Sequence, residues 1–185
     1  MGRTFEESIK ETVKVTVSAT GMAFRPLPDD HPVYALVGLI TSECARIEHF
    51  LDATIFEFVG LQSHARLGAS LTGQMIGMHP RYQALHQLAL EREAPKPIRA
   101  EIGRLEQISN DIAKRRNRAV HDAWMEEVNS KEVAQFRTKT KKEPTYGPQA
   151  VLLDQLKDDL AFVRIHLDRV MKLRGDVWEL YRLNS

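Results

Sequence analysis

The chain has 185 residues, 43% hydrophobic and 28% charged, with eight prolines and ten glycines, the make-up of one globular domain with a real core. Its net charge of +1 argues for no overall field toward nucleic acid or membrane, and no uncharged apolar run approaches the roughly 18 residues of a membrane span. A single cysteine, Cys44, excludes an internal disulfide and fits a reducing cytosol, and the acidic start (Glu6, Glu7, Glu11) lacks the apolar stretch of a secretory signal, so a cytoplasmic protein is expected.

Charge is unevenly placed. Lys plus Arg against Asp plus Glu stands at 8 against 11 over residues 1–95, 12 against 7 over 96–142, and 6 against 7 over 143–185. The basic surplus is confined to the second of these stretches.

Residues 1–31 read as an N-terminal extension and 32–185 as one helical domain. In the extension Val13, Val15 and Val17 alternate with Lys14, Thr16 and Ser18, the period of a strand. Arg25-Pro26-Leu27-Pro28-Asp29-Asp30-His31-Pro32 is a rigid non-helical connector, and Pro32 suits the first turn of a helix. Val33, Val37, Ile40, Cys44, Ile47, Leu51, Ile55 and Phe58 then recur every three or four residues. They predict a helix from 32 to about 60, a rod of about 40 Å. Glu43 and Glu48 flank its apolar stripe, where either can meet an arginine from a neighbouring helix. Phe50 and Phe56 lie off the stripe. They either pack sideways in the core or form a second face that buries a partner subunit.

A shorter helix over 64–78 carries Ala65, Leu67, Leu71, Met75 and Met78, and His79-Pro80 interrupts it. Another follows through Tyr82, Leu85, Leu88 and Ala89 and ends at Glu93, before the stop at Pro95-Lys96-Pro97. Ile98 opens a long helix that reaches about Trp124. After a turn at 128–131, residues 133–140 suit a strand and 139–148 a polar loop. A small hairpin is expected there, joined by the strand near 12–18. The last helix runs from 149 to 183 on Leu152, Leu156, Leu160, Val163, Leu167, Val170, Val177, Trp178 and Tyr181, with Gly175 as a bending point. The expected fold class is all-α: a bundle of four to five helices with a small non-helical, hairpin-like insertion before the last one.

Several chemistries are absent from the sequence. No glycine-rich phosphate loop of either common type is present. Gly68-Ala69-Ser70-Leu71-Thr72-Gly73 has its second glycine one residue too far for a nucleophile elbow. The seven histidines include no pair at i, i+4 and no Glu-x-x-His, so neither a metal site nor a cofactor is expected. His31, His49, His64, His79, His86 and His166 are read as ordinary surface or core residues.

One local rule is broken. On the helix from Ile98 the apolar stripe passes through Ile102, Leu105, Ile108 or Ser109 and Ile112, and its next positions are Arg116, Ala119 with Val120, and Ala123. Arg116 therefore falls on the face that should be buried. A guanidinium there costs several kcal/mol unless a carboxylate or an anionic ligand meets it, and such breaks concentrate at functional sites. The bland explanation is an ion pair from Arg116 to Glu43 or Glu48. For His121 it is an exposed helix histidine paired with Asp122 or Asn117.

Arg116-Asn117-x-x-x-His121, late on a helix of an all-α bundle, resembles the signature of HEPN domains: an arginine, a polar residue that is often Asn, and a histidine four to six residues after the arginine. The likeness covers this motif, the bundle of about 150 residues from Pro32 onward, and its placement before the final helix. It implies a metal-independent endoribonuclease, often a toxin or antiviral effector, acting as a homodimer whose two motifs line one cleft. It also implies RNA as substrate and an antitoxin protein as a partner, with no membrane role. Some members carry a tyrosine two residues after the histidine that a partner enzyme nucleotidylates. That position is Ala123 here, and the regulation is not carried over.

The residue types suit the chemistry. RNA cleavage without a metal needs a base for the 2′-OH proton, a cation for charge on the phosphorane oxygens and an acid for the 5′-oxygen. His121 can shuttle protons near neutral pH, Arg116 offers a planar fork to phosphate, and Asn117 at i, i+4 can orient the His121 ring. Lys114, Arg115 and Arg118 are candidate RNA-phosphate contacts. The basic run 137–142 is a solvated loop or an arm that tracks RNA. Residues five apart on a straight helix differ by about 140°, however, so one chain does not place Arg116 and His121 on one face. A second subunit, a distorted helix or a reaching Arg116 would reconcile them. The alternative reading is a dimeric HEPN-like module that binds RNA or protein without turnover. A structural helix bundle with a coincidental motif is the third.

Overall fold

The computed structural model describes residues 16–17, 21–61, 64–139 and 145–182. In chain order they form β1 (Thr16–Val17), β2 (Ala23–Pro26), α1 (Pro32–Val59), α2 (Ala65–Thr72), α3 (Met78–Glu91), α4 (Lys96–His121), β3 (Ala123–Glu127), β4 (Val133–Lys139), β5 (Thr145–Ala150) and α5 (Leu153–Arg182). The fold is mostly helical with a small antiparallel sheet. Contacts divide it into two compact units, one of the strands and the helix ends next to them, the other of residues 36–120 and 157–182.

In the helical unit each long helix buries the stripe its sequence spells. α1 inserts Ile40, Cys44, Ile47, Leu51, Ile55 and Phe58; α3 adds Met78, Tyr82, Leu85 and Ala89. α4 buries Ile98, Ile102, Leu105, Ser109, Ile112 and Ala119. α5 supplies Leu160, Val163, Leu167, Val170, Leu173 and Val177. Removing this much apolar surface from water is the main force holding the unit together. α1 stops at Gly60, whose φ of +71° a side chain would resist, while the Leu61 N–H turns back to the Phe56 carbonyl at 2.8 Å. Gly68 of α2 has its own reason to lack a side chain. A Cβ there would sit 2.7 Å from the Phe56 ring, so α2 lies directly on that aromatic.

In the other unit the sheet order is β1-β2-β3-β4-β5, all neighbours antiparallel. Phe24 pairs in register with Glu127, and Phe136 with Ala123. Phe24, Ala134 and Phe136 form its buried cluster with Met125 against them, the two rings edge-on at 5.2 Å. Arg25 pairs with the buried Glu126 across β2 and β3 at 2.5 Å.

Several expectations change. The insertion is larger than a hairpin: β3, β4 and β5 form a meander, and β2 adds from residues expected to be connector, so the all-α class gives way to a helical fold with a sheet. Ala123 and Trp124, read as the end of α4, are the start of β3. His79-Pro80 does not interrupt a helix but lies in the first turn of α3, where a proline loses no needed hydrogen bond. Pro148 and its neighbours are strand rather than loop. α5 starts at Leu153 and passes Gly175 as one helix, leaving Leu152 and Trp178 69% and 41% exposed. Of the strand read at 12–18 only Thr16–Val17 is described, and residues 140–142 of the basic run lie outside the described residues.

Candidate active site

The last two turns of α4 carry the motif. The helix forms because its apolar stripe is buried as far as Ala119, and it ends at His121, with Asp122 in a bend before β3. Arg137 holds Asp122 from β4 at 3.7 Å, so Asp122 is occupied by that arginine.

Arg116 continues the row Ile102, Ser109, Arg116, spaced by seven residues, whose first two members are buried. It is itself half-buried. Neither expected glutamate meets it. Glu43, 7% exposed, takes Arg46 at 2.6 Å and Arg164 at 3.2 Å. Burial would raise its carboxyl, but the hydrogen bonds from Arg164 and Arg46 hold it below the usual range. Glu48 lies 3.6 Å from Arg81. Among the described residues no carboxylate is within ion-pair distance of Arg116. Its guanidinium makes one hydrogen bond among the described residues, donated to Asn117 Oδ1 at 3.0 Å. The group that feels its charge is Cys44 on α1, whose thiol burial pushes up to about 12, with Arg116 pulling the other way. That thiol is inert at neutral pH.

Asn117 is exposed and engaged by Arg116, so its oxygen is turned to the arginine and not to the imidazole. His121 is exposed, and among the described residues its ring has no hydrogen-bond or ion-pair partner. Asn110, Lys114 and Asn117, which share its side of the helix, are exposed as well.

The three candidate phosphate contacts differ. Arg115 is half-buried and committed within the chain: its guanidinium pairs with Asp159 of α5 and lies over the Phe162 ring, 4.5 Å from the centroid. Lys114 is exposed beside Asp111 at 3.2 Å. Arg118 is exposed. The adjacent arginines thus split their work, Arg115 clamping α4 to α5 and Arg116 keeping its charge without a counter-ion among the described residues. Sequence reasoning missed Asp159 and Phe162, since nothing local singles them out among the polar and aromatic residues of α5. It missed Cys44 too, although that residue stands on the buried row of α1.

The off-stripe phenylalanines both have neighbours within the chain. Phe56 meets Gly68, and Phe50 lies beneath the Arg174 guanidinium at 5.7 Å in a shallow groove with Met171 and Trp178. No group of three or more metal-binding side chains occurs, and no helix is long and apolar enough to cross a membrane, among the described residues. No family model matches the chain, and neither the curated proteins nor the solved structures give a match.

Proposed function

We propose that the chain is a HEPN-like, metal-independent endoribonuclease of toxin or defence type, its helices forming the bundle of that family and two copies forming its cleft. The observation that carries this reading is Arg116. It is a half-buried guanidinium on a buried row with no carboxylate among the described residues to neutralise it, five residues before an exposed histidine. An arginine placed for stability would be paired, as Arg81 and Arg115 are. One left without an anion is suited to a phosphate.

In the proposed reaction His121 takes the 2′-OH proton and the 2′-oxygen attacks phosphorus. The bond to the 5′-oxygen breaks as that oxygen gains a proton from the His121 of the second copy. Arg116 steadies charge on the phosphorane oxygens, and Asn117 fixes the guanidinium rather than the imidazole. The products are a 2′,3′-cyclic phosphate and a 5′-hydroxyl. Lys114 and Arg118 guide the flanking backbone, and an antitoxin would act by covering this exposed turn.

The test is cleavage of RNA by the purified chain in EDTA, since no step of this scheme needs a metal. Substrates with 2′-deoxy or 2′-O-methyl sugars at the cut should resist. His121→Ala should slow cleavage by about 10²–10⁴-fold, the usual worth of general acid–base catalysis, with its melting temperature unchanged. Full cleavage by that variant would sink the catalytic reading. The competing reading, a binding module without turnover, is favoured by the rotation of about 140° between Arg116 and His121 on one straight helix. It would be adopted if RNA is bound, Arg116→Ala weakens the binding, and no cyclic phosphate forms.

A further inference from the structure

We propose that a second site, between the first turns of α4 and the later half of α5, binds a phosphate monoester with an apolar organic body. The groove encloses about 700 Å³, within the range of small-molecule sites. Its floor is apolar: Pro97, Ile98 and Ala100 from α4 meet Leu173 from α5, with Ile98 and Leu173 almost wholly buried. Such a floor suits a flat or aliphatic body and gives nothing to a bare ion.

The rim supplies the charge. Lys96 and Arg104 stand on the α4 side, Arg169 and Lys172 on the α5 side, against only two carboxylates, Glu101 and Asp176. Glu101 is shared, taking Arg169 at 2.7 Å and Arg104 at 3.3 Å. Asp176 takes Lys172 at 3.0 Å. Two positive charges are left over. Among the described residues Lys96 has no carboxylate within ion-pair distance, and Arg104 spends one nitrogen on Glu101 while its side chain stays 67% exposed. A phosphate monoester near neutral pH carries up to two negative charges and oxygens that fit forked guanidinium donors, whereas a carboxylate would leave one charge over. The positive end of the 26-residue α4 adds to the same field. Arg104 precedes Arg116 by twelve residues, about 18 Å of helix rise, so this groove is separate from the motif turn.

The test is titration of the full chain with 1-naphthyl phosphate, followed by calorimetry and by ligand line-broadening in NMR, with 1-naphthol and inorganic phosphate as the other arms. Naphthyl phosphate should bind at least tenfold more tightly than either. The double variant Lys96→Gln with Arg104→Gln should weaken it at least tenfold at unchanged melting temperature, both side chains being exposed. Ala100→Glu, an exposed and helix-compatible change, should do the same from the floor. His121→Ala should leave binding intact, so this site and the RNase reading fail separately. Equal affinity for inorganic phosphate or for naphthol would overturn the proposal. So would undiminished binding by the variants, or no saturable binding at millimolar ligand.

Discussion

Arg81 with His166, and Arg116 with His121, are two arginine–histidine sets built in opposite ways. Arg81 is 7% exposed, and its donors are claimed: Asp52 at 2.8 Å and 3.2 Å, and the carbonyls of Met75 and Gly77 at 2.7 Å each. It thereby ties the turn before α3 to α1. His166, 2% exposed, lies 2.7 Å from the Tyr82 hydroxyl through Nε2, and burial, followed by the nearby Arg169, lowers its pKa to about 4. Arg116 is half-buried with an amide as its one hydrogen-bond partner, and His121 is exposed without one among the described residues. The same two residue types thus serve as mortar in one place and, among the described residues, are left without a counter-ion or ring partner in the other. Partners and burial separate the roles; residue identity does not.

The sharpest way to break the contrast is to remove Arg81. Arg81→Met should cost about 3–5 kcal/mol in urea unfolding, because Asp52 and two carbonyls lose their donor. A loss below about 1 kcal/mol would mean that the pairing does not distinguish the sets.

The next effect is on pH. The unfolded chain protonates His166 near 6.5, but the folded one waits until about 4. Stability from this residue is therefore complete above pH 6.5 and is lost as pH falls toward 4. Between pH 6.5 and 5 the loss should be about 2 kcal/mol, read as a difference from His166→Gln in thermal or urea unfolding. Equal slopes for the two proteins would show the imidazole already accommodated as a cation.

The smallest effect is the most telling. Arg116→Met should change stability by less than about 1 kcal/mol, since no carboxylate among the described residues is orphaned, while the proposed RNA cleavage, if the reading holds, is lost. A drop of several kcal/mol would move Arg116 into the company of Arg81.

What the sequence discloses follows from the range of the forces involved. The stripes of α1, α4 and α5 repeat within each helix and are therefore visible locally, as was the anomaly of Arg116. The strand Ala123–Glu127 was not, because Ala119, Val120, Ala123 and Trp124 fit a helical stripe and a strand alike. What decides between them is pairing with β2 and β4, and β2 lies about a hundred residues earlier. Partner choice is equally opaque: that Glu43 takes Arg164, and Arg115 takes Asp159, depends on how helices distant in sequence are phased. The groove cations on α4 and α5 were silent for the same reason.

The pairing of β2 with β3 sets a timetable for synthesis. Arg25 and its partner Glu126 are separated by 101 residues, so at about 5–20 residues per second the ribosome needs roughly 5–20 s between them. During that interval the strand of Phe24 has, among the described residues, β1 (Thr16–Val17) to pair with. The β3–β4–β5 meander, whose connections are short, can close as soon as it emerges. The N-terminal strand therefore docks late onto a ready edge, and until it does the nascent chain carries an open β edge and an unburied phenylalanine, the features that chaperones bind and aggregates exploit.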